Sequence, residues 1–162
     1  MGYLHIDNLY KDQTILLFKQ CYALEKIHGT SAHIRWDSTT LYFSSGGVKL
    51  EPFKALFNIG ELTEMSQLIT NNTPFTIYGE AYGGNCQKMS ATYGNALNFV
   101  AFDVKVGDIW LSVPDAKDFC ESLNIPFVHY ELIDTTLEAI NAERDKPSVQ
   151  AARNGMGTDK LR

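Results

Sequence analysis

The sequence has few cysteines, and none of them lie close together along the chain. Cys21, Cys86 and Cys120 form no Cys-x-x-Cys pair, which excludes a disulfide framework and a zinc site built on paired thiolates. Isolated cysteines of this kind are typical of the reducing cytosol. We therefore expect a cytoplasmic protein.

The chain also lacks a long hydrophobic run and an excess of positive charge. No stretch approaches the roughly 20 apolar residues that span a bilayer, and the Met-Gly start has no basic residues after it, so no membrane attachment is expected. The formal net charge of −5 excludes nucleic-acid binding through bulk positive charge and leaves only a local basic groove open. With 162 residues, 44% of them hydrophobic, the chain suits one globular domain.

Short apolar and alternating runs predict an α+β fold. Ala32, Ile34 and Trp36 alternate with polar residues and predict a half-buried strand over 30–36 that turns back at 37–38. A second hairpin is predicted from 97–104 to 109–113. Further strands are predicted at 14–18, 22–27, 75–81 and 127–133, and helices at 52–69, after Pro114, after a Thr135–Glu138 capping box, and at 148–153. These elements favour mostly antiparallel sheets with packing helices.

Lys26 stands between an apolar run and a turn that contains Gly29, and we interpret it as a candidate covalent nucleophile. An ordinary lysine amine, with a pKa near ~10.4, is neutral in only about one molecule in a few thousand at neutral pH. A nucleophilic lysine must therefore be desolvated or lie beside other cations. Tyr22, Leu24 and Ile27 are expected to wall the amine, although most lysines are solvated surface groups.

Glu80 and Phe102 are further candidates that allow two interpretations each. Glu80 is an acid at a strand end flanked by glycines, which suits either a ligand contact or a solvated strand end. Phe102 falls in an alternating strand in which Phe99, Ala101 and Asp103 are expected on the opposite face. From this pattern alone Phe102 is a core residue.

Three stretches, Glu25–Thr30, Tyr78–Gly83 and Phe99–Val104, together resemble motifs I, III and IIIa of the covalent nucleotidyltransferases, the superfamily of ATP-dependent ligases and mRNA capping enzymes. His28 and its flanking residues are most similar to the nick-sealing RNA ligases of the RNA ligase 2 type, and Gln87-Lys88 also fits that group. The resemblance covers about residues 20–105. It implies an adenylation domain of the ATP-grasp-like ligase type.

The resemblance also implies a role for each matching residue. Lys26 would attack the α-phosphorus of ATP and hold AMP as a phosphoramidate. Glu80 would accept hydrogen bonds from the ribose hydroxyls, and Phe102 would stack on the adenine. The nucleotide pocket would be completed by Glu25 near the adenine edge, Ile27, Gly29 and Asp103. Mg²⁺ would accompany ATP, and no protein residue is assigned as a metal ligand. For His28, a catalytic role and local hydrogen bonding are equally open.

The sequence departs from the family pattern at several places. Ser31 stands where the most similar relatives have asparagine, and Ser44–Gly47 replaces a basic residue, whose phosphate contact either comes from Lys49 or is absent. Arg35 lies on the polar face of its strand, where it either meets a phosphate or is simply exposed. The Glu-Gly pair of motif IV and the paired lysines of motif V do not occur in these 162 residues. We therefore expect the chain to be the N-terminal part of a longer adenylation domain and to be impaired on its own.

Two functions remain open. The first is an ATP-dependent RNA ligase that forms a lysyl-AMP intermediate, transfers AMP to an RNA 5′-phosphate and joins that end to a 3′-hydroxyl. The second is a fragment that binds nucleotide or RNA without ligation. The expected partners are RNA ends, in nicked duplex or single-stranded form, and the expected state is a monomer.

Overall fold

The structure is a computed structural model that describes residues 2–161. Its strands are β1 (Gln20–Leu24), β2 (Thr30–Trp36), β3 (Leu41–Ser45), β4 (Phe75–Tyr82), β5 (Asn98–Val106), β6 (Ile109–Trp110) and β7 (Tyr130–Asp134). Its α-helices are α1 (Leu50–Lys54), α2 (Ile59–Thr70), α3 (Ser90–Tyr93), α4 (Val113–Ser122), α5 (Leu137–Arg144) and α6 (Val149–Arg153). The predicted α+β fold with antiparallel sheets and helices is confirmed.

The larger sheet has five strands in the order β3-β2-β4-β5-β6, and every pair in it is antiparallel. The predicted alternation of β2 is confirmed, because Ala32, Ile34 and Trp36 are buried while Arg35 between them is exposed. Residues directly opposite each other share a face of a sheet. Ser31 lies opposite Glu80, so the face that carries Glu80 is the polar face of β2.

The smaller sheet pairs β1 with β7 and carries the lysine stretch. Leu24 at the end of β1 lies opposite Tyr130, and the amide of Glu25 donates to the carbonyl of His129 at 2.9 Å, which extends the pairing by one residue. Lys26 therefore lies two residues beyond the end of its strand rather than within it. The loop 25–29 connects the two sheets.

The core lies against the apolar face of the larger sheet. α4 packs against β5, and α1 packs against β3. The rings of Phe53, Phe57 and Phe99 meet with centroids between 5.4 and 5.7 Å apart. The opposite face of the same sheet carries Ser31 and Glu80, and this is the face that carries the candidate site.

A β-bulge interrupts the pairing of β4 with β5. Tyr78 pairs with Asp103 and Gly79 with Ala101, so Phe102 has no partner on β4. A Cβ at Gly79 would collide with the carbonyl oxygen of Val100, which explains a residue without a side chain at this point. The predicted faces of β5 are therefore wrong beyond the bulge, since Asp103 lies with Tyr78 on the polar face of the sheet.

Two predicted elements differ from the structure at the N-terminal side of the chain. Residues 14–17 form a 3-10 helix and not a strand, because the Asp12 carboxylate accepts hydrogen bonds from the amide and hydroxyl of Thr14 and starts a helical turn. The helix predicted over 52–69 is two helices, α1 and α2. Asn58 breaks the run because its side-chain oxygen accepts from the Glu61 amide and caps α2.

In the second half of the chain, three boundaries of helices or strands also differ from those predicted. Val113 belongs to α4 rather than to the hairpin strand, and Phe127 precedes β7 and forms only an isolated bridge with Ala101. The cap of α5 is Thr136, whose hydroxyl accepts from the Ala139 amide, so the predicted capping box is shifted by one residue. None of the helices within residues 2–161 has the length and apolar character that crossing a bilayer requires.

Candidate active site

The loop between β1 and β2 exposes Lys26 and buries its neighbours on both sides. Glu25 and Ile27 are buried, at 5% and 4% exposure, while Lys26 and His28 are exposed. Lys26 faces a cavity of about 530 Å³, which is lined by Lys26, Ile27, His28, Gly29, Glu80, Gln87 and Met89. The structure therefore brings together four of the predicted site residues, Lys26, Ile27, Gly29 and Glu80.

Of the three residues predicted to wall the lysine amine, Ile27 lines the cavity with Lys26, whereas Tyr22 and Leu24 do not. Tyr22 is 41% exposed, and its ring packs edge-on against Tyr130 with centroids 5.7 Å apart. Ile27 and Leu24 pack with the core. The side chain of Lys26 consequently stands in an open cavity, because alternation along the loop turns its apolar neighbours inward.

Glu80 joins the loop to the larger sheet. Its Oε1 accepts a hydrogen bond from the Gly29 amide at 3.1 Å. Within residues 2–161, its Oε2 has no hydrogen-bond partner. Burial raises the pKa of the Glu80 carboxyl, and the Gly29 amide and the positive charge of Lys26 oppose that rise. Lys26 and Glu80 thus lie in one cavity, close enough for the positive charge of Lys26 to act on the Glu80 carboxyl.

Gly29 is required by the close approach of the loop to β4. A Cβ at this position would collide with the carbonyl oxygen of Ala81 and lie 2.9 Å from the Cβ of Tyr82. A glycine is therefore needed here even before a ligand is considered.

Glu25 lies beneath the cavity and does not line it. Its Oε1 accepts from the Ser148 hydroxyl at 2.5 Å, and its Oε2 accepts from the Gln150 amide at 3.1 Å. Both donors belong to the first turn of α6, where Ser148 is the N-cap. The carboxylate of Glu25 is therefore used to hold the base of the lysine loop against α6.

A second set of hydrogen bonds connects α6 to the other end of the loop. Gln150 donates from Nε2 to the Tyr82 hydroxyl at 2.9 Å, and Asn154 donates to the Tyr93 carbonyl at 2.9 Å. The Tyr93 hydroxyl in turn accepts from the His28 amide at 3.3 Å. Sequence reasoning missed this network because its partners are far apart in the chain.

Gln87 and Met89 line the cavity from the segment that follows β4. Gln87 and Lys88 both have positive φ, 53° and 56°, in the left-handed region that side-chain-bearing residues rarely adopt. No turn residue at these two positions indicates this backbone conformation, and Met89 was not predicted as a site residue. Strain of this kind clusters at binding sites.

Phe102 and Asp103 lie on β5 and are absent from the residues that line the cavity. Phe102 is partly buried against the core, and its position at the bulge places it beside Asp103. Asp103 accepts at Oδ1 from the Val104 amide at 2.9 Å, and burial raises the pKa of its carboxyl. The pairing of Asp103 with Tyr78 puts it two residues along β4 from Glu80, on the same face.

The cations expected at phosphates lie elsewhere. The guanidinium of Arg35 stacks on the ring of Tyr42, 4.3 Å from its centroid, and Lys49 is the N-cap of α1. Neither residue lines the cavity. Over the part of the chain that the structure describes, no group of three or more His, Cys, Asp or Glu side chains could hold a metal ion.

Comparison with known proteins gives a family and a fold. A family model described as RNA ligase matches residues 19–156. No curated protein matches the chain. Among solved structures, a Naegleria gruberi RNA ligase mutant with ATP and Mn matches with a TM-score of 0.65 at 14% identity, over 83% of this chain and 44% of that chain.

Two further structures of the Naegleria gruberi enzyme give the same result. A mutant with AMP and Mn matches with a TM-score of 0.63 at 15% identity, over 83% of this chain and 44% of that one. The enzyme with PPi matches with a TM-score of 0.64 at 16% identity, over 83% of this chain and 43% of that chain. At these identities the likeness shows a shared fold, and the chain spans less than half the length of the structures that it matches.

Proposed function

Because this chain belongs to the RNA ligase family, we propose that it is the nucleotide-binding part of an ATP-dependent RNA ligase that becomes linked to AMP through Lys26. The observation that carries this proposal is the meeting of Lys26 and Glu80 in one cavity. Lys26 as a nucleophile and Glu80 as an acceptor of hydrogen bonds from a diol suit a ligand in which a phosphate lies next to a ribose.

The proposed first step is an exchange at the α-phosphorus of ATP. The amine nitrogen of Lys26 gives up a proton and forms a nitrogen–phosphorus bond. The bond from the α-phosphorus to the oxygen that bridges to the β-phosphate breaks, and pyrophosphate leaves. An oxygen of an RNA 5′-phosphate then attacks the phosphorus of AMP, and the nitrogen–phosphorus bond breaks as the Lys26 amine takes up a proton. Finally, a 3′-hydroxyl loses its proton and attacks the RNA 5′-phosphorus, and the bond from that phosphorus to AMP breaks, so the ends are joined and AMP leaves. The exposed position of Lys26 leaves its amine accessible to both substrates.

Other residues of the chain would hold the nucleotide. Glu80 has one carboxylate oxygen fixed by Gly29 and one without a partner in the described chain, which suits an acceptor for the ribose hydroxyls. Ile27 and Gly29 would form the wall behind the sugar. Phe102 would stack on the adenine from β5, and Glu25 would fix the base of the lysine loop through α6.

Mg²⁺ would enter with the triphosphate. This ion keeps most of its water and binds through few carboxylates plus substrate phosphates, so a site without a protein metal cage suits it. When bound, it would offset the charge of the phosphates. Among the cavity-lining residues Lys26 is the one lysine or arginine.

The remaining parts of the proposal concern the context of the chain. We propose that residues 1–162 are the N-terminal part of a longer adenylation domain, which the coverage of 44% of a solved relative supports. The substrates would be RNA ends, in nicked duplex or as single strands. The protein would act as a monomer in the cytoplasm.

Intact-mass spectrometry after incubation with ATP, Mg²⁺ and pyrophosphatase tests the function. Two proteins are compared. One is the 162-residue chain, and the other is a version extended at its C-terminus to include the Glu-Gly strand of motif IV and the paired lysines of motif V. We expect the extended protein to gain one AMP, the short chain to gain little, and Lys26→Arg to gain none, whereas Lys19→Arg in the exposed segment before β1 behaves as the parent. An adduct that survives Lys26→Arg, or an extended protein that binds ATP without an adduct, would contradict the proposal.

A further inference from the structure

Phe102 occupies a place where the sheet does not fix its side chain. The bulge between β4 and β5 skips it in the pairing, so it has no neighbour directly opposite on β4. A bulge commonly re-aims the side chain that it carries. Contacts from outside the β4–β5 ladder therefore help to set the direction of the Phe102 ring.

The N-terminal segment provides such a contact through Tyr3. The Tyr3 ring lies almost perpendicular to the Phe102 ring, at 78°, with centroids 5.0 Å apart. Its hydroxyl donates to Oδ2 of Asp103 at 2.6 Å. One side chain thus contacts both members of the Phe102-Asp103 pair, one through its ring and the other through its hydroxyl.

Two further rings hold Tyr3 in this position. Tyr78 of β4 and Trp110 of β6 have ring centroids 5.2 and 5.8 Å from that of Tyr3. Rings from three adjacent strands therefore converge on one tyrosine. Burial, together with the hydrogen bond to Asp103, raises the pKa of the Tyr3 hydroxyl, so it keeps its proton and remains a donor at neutral pH.

The rest of the N-terminal segment does not share this contact. Leu4 and Ile6 are 71% and 72% exposed, and the neighbouring positions 2, 5, 7 and 8 are also exposed. Hydrophobic burial of the segment as a whole therefore does not explain why Tyr3 is bound. Tyr3 is instead held by its contacts with Phe102 and Asp103 at the bulge.

We propose that Tyr3 is a positioning residue that fixes the Phe102 ring and the Asp103 carboxylate for binding of the adenine nucleoside. This inference rests on the proposed role of Phe102 as the adenine platform. Tyr3 acts on the base-binding end of the nucleotide, so its loss affects ligands that carry adenine and spares ligands that are phosphate alone.

The experiment compares the parent chain with Tyr3→Leu and Tyr3→Phe. Tyr10→Leu is the matched control, because Tyr10 lies in the same segment and is 94% exposed. Calorimetry measures the affinity for ATP and for inorganic tripolyphosphate. We expect Tyr3→Leu to weaken ATP binding about three- to tenfold, as loss of an edge-to-face ring pair and a hydrogen bond suggests, with tripolyphosphate binding unchanged. Tyr3→Phe keeps the ring pair and loses less.

A double-mutant cycle separates positioning from general stabilisation. In a Phe102→Ala background Tyr3→Leu should lose most of its effect on ATP affinity, since the ring that it positions is gone and only its hydrogen bond to Asp103 remains. Equal losses for ATP and tripolyphosphate, additive losses in the cycle, or no effect of Tyr3→Leu would each overturn the inference. If the parent binds ATP and the Tyr3 variants match it, the proposed function stands and only this inference fails. If the parent chain binds no ATP, the proposal that this chain is the nucleotide-binding part of the enzyme fails together with the inference.

Discussion

The carboxylate of Glu80 holds the lysine loop by accepting a hydrogen bond from the Gly29 amide, with 3.1 Å between Oε1 and the nitrogen. The two residues are 51 positions apart in the chain, and the bond fixes the loop that carries Lys26 against β4. Glu80 therefore has two roles in the proposed site. One oxygen positions the loop that carries Lys26, and the other is the proposed acceptor for the ribose hydroxyls.

These two roles can be separated by substitution. Glu80→Gln keeps an oxygen acceptor for Gly29 and loses the charge, whereas Glu80→Ala loses both. We expect ATP affinity to fall about tenfold or more in Glu80→Ala, since a hydrogen bond to a charged group contributes about 1.5–3 kcal/mol, and to fall less in Glu80→Gln. Calorimetric titration with ATP measures both. Equal losses in the two variants would show that the charge, and not the acceptor, accounts for the whole effect.

The titration of Glu80 predicts a pH dependence of stability. Burial raises the pKa of its carboxyl, so the folded chain holds this proton to higher pH than the unfolded chain. Stability then falls as pH rises through the interval between the two pKa values. Glu80→Gln removes this titration. The melting temperature of Glu80→Gln minus that of the parent should therefore increase as pH rises from about 4 toward neutrality. Asp103 is present in both proteins and cancels. A difference that shrinks with rising pH would contradict the assignment.

Gly29 should not tolerate a methyl group. Gly29→Ala forces a Cβ into the carbonyl oxygen of Ala81, and overpacking of this kind typically costs about 1–3 kcal/mol. Gly60→Ala is the control, because its Cβ would come no closer than 3.8 Å to a heavy atom and it lies in α2. We expect thermal unfolding to show a lower melting temperature for Gly29→Ala and an unchanged or slightly higher one for Gly60→Ala. Parent-like stability of Gly29→Ala would mean that the loop can withdraw from β4.

The parts of the fold that depend on local pattern were predictable from the sequence. The alternation of β2 places Ile34 and Trp36 in the core as expected, because the side-chain period of a strand is a local property. The motif resemblance also predicted that Lys26 and Glu80 lie in one pocket. In the structure, the loop that carries Lys26 leads into β2, and β2 pairs with β4, which carries Glu80.

The parts that depend on distant contacts were not predictable. The bulge that skips Phe102 is a matter of register between two strands, and it reverses the expected face of Asp103. The carboxylate of Glu25 was expected at the adenine edge, but it binds Ser148 and the Gln150 amide, over 120 positions away in the chain. No periodicity in either segment indicates such a partner.

The attachment of Glu25 to α6 gives a test of that long-range contact. Ser148→Ala removes a helix cap and also a donor to a buried carboxylate, whereas Ser112→Ala removes only the cap of α4. We expect Ser112→Ala to cost about 1 kcal/mol and Ser148→Ala to cost about 1–3 kcal/mol more in urea unfolding. Similar losses in the two variants would show that the Ser148 hydroxyl contributes nothing to holding Glu25.

Phe102 allows a test that distinguishes an adenine platform from a core side chain. Stacking requires an aromatic face, and loss of one base-stacking ring typically costs about 1–3 kcal/mol. Core packing instead requires apolar volume. Because Phe102 is partly buried against the core, Phe102→Ala alone cannot separate the two roles. Phe102→Leu keeps most of the apolar volume without the ring, and Phe102→Tyr and Phe102→Trp keep a ring of altered size.

We expect ATP affinity to fall about 5- to 150-fold in Phe102→Leu and Phe102→Ala and to be largely kept in Phe102→Tyr and Phe102→Trp. The melting temperature should follow a different order, with Phe102→Leu near the parent and Phe102→Ala the lowest, because burial and not stacking governs it. Calorimetric ATP titration ranks the variants by affinity, and thermal unfolding of the same samples ranks them by melting temperature. If affinity instead tracks melting temperature across all four variants, Phe102 acts on the nucleotide only through the stability of the core, and the platform must be sought among other rings of the polar face.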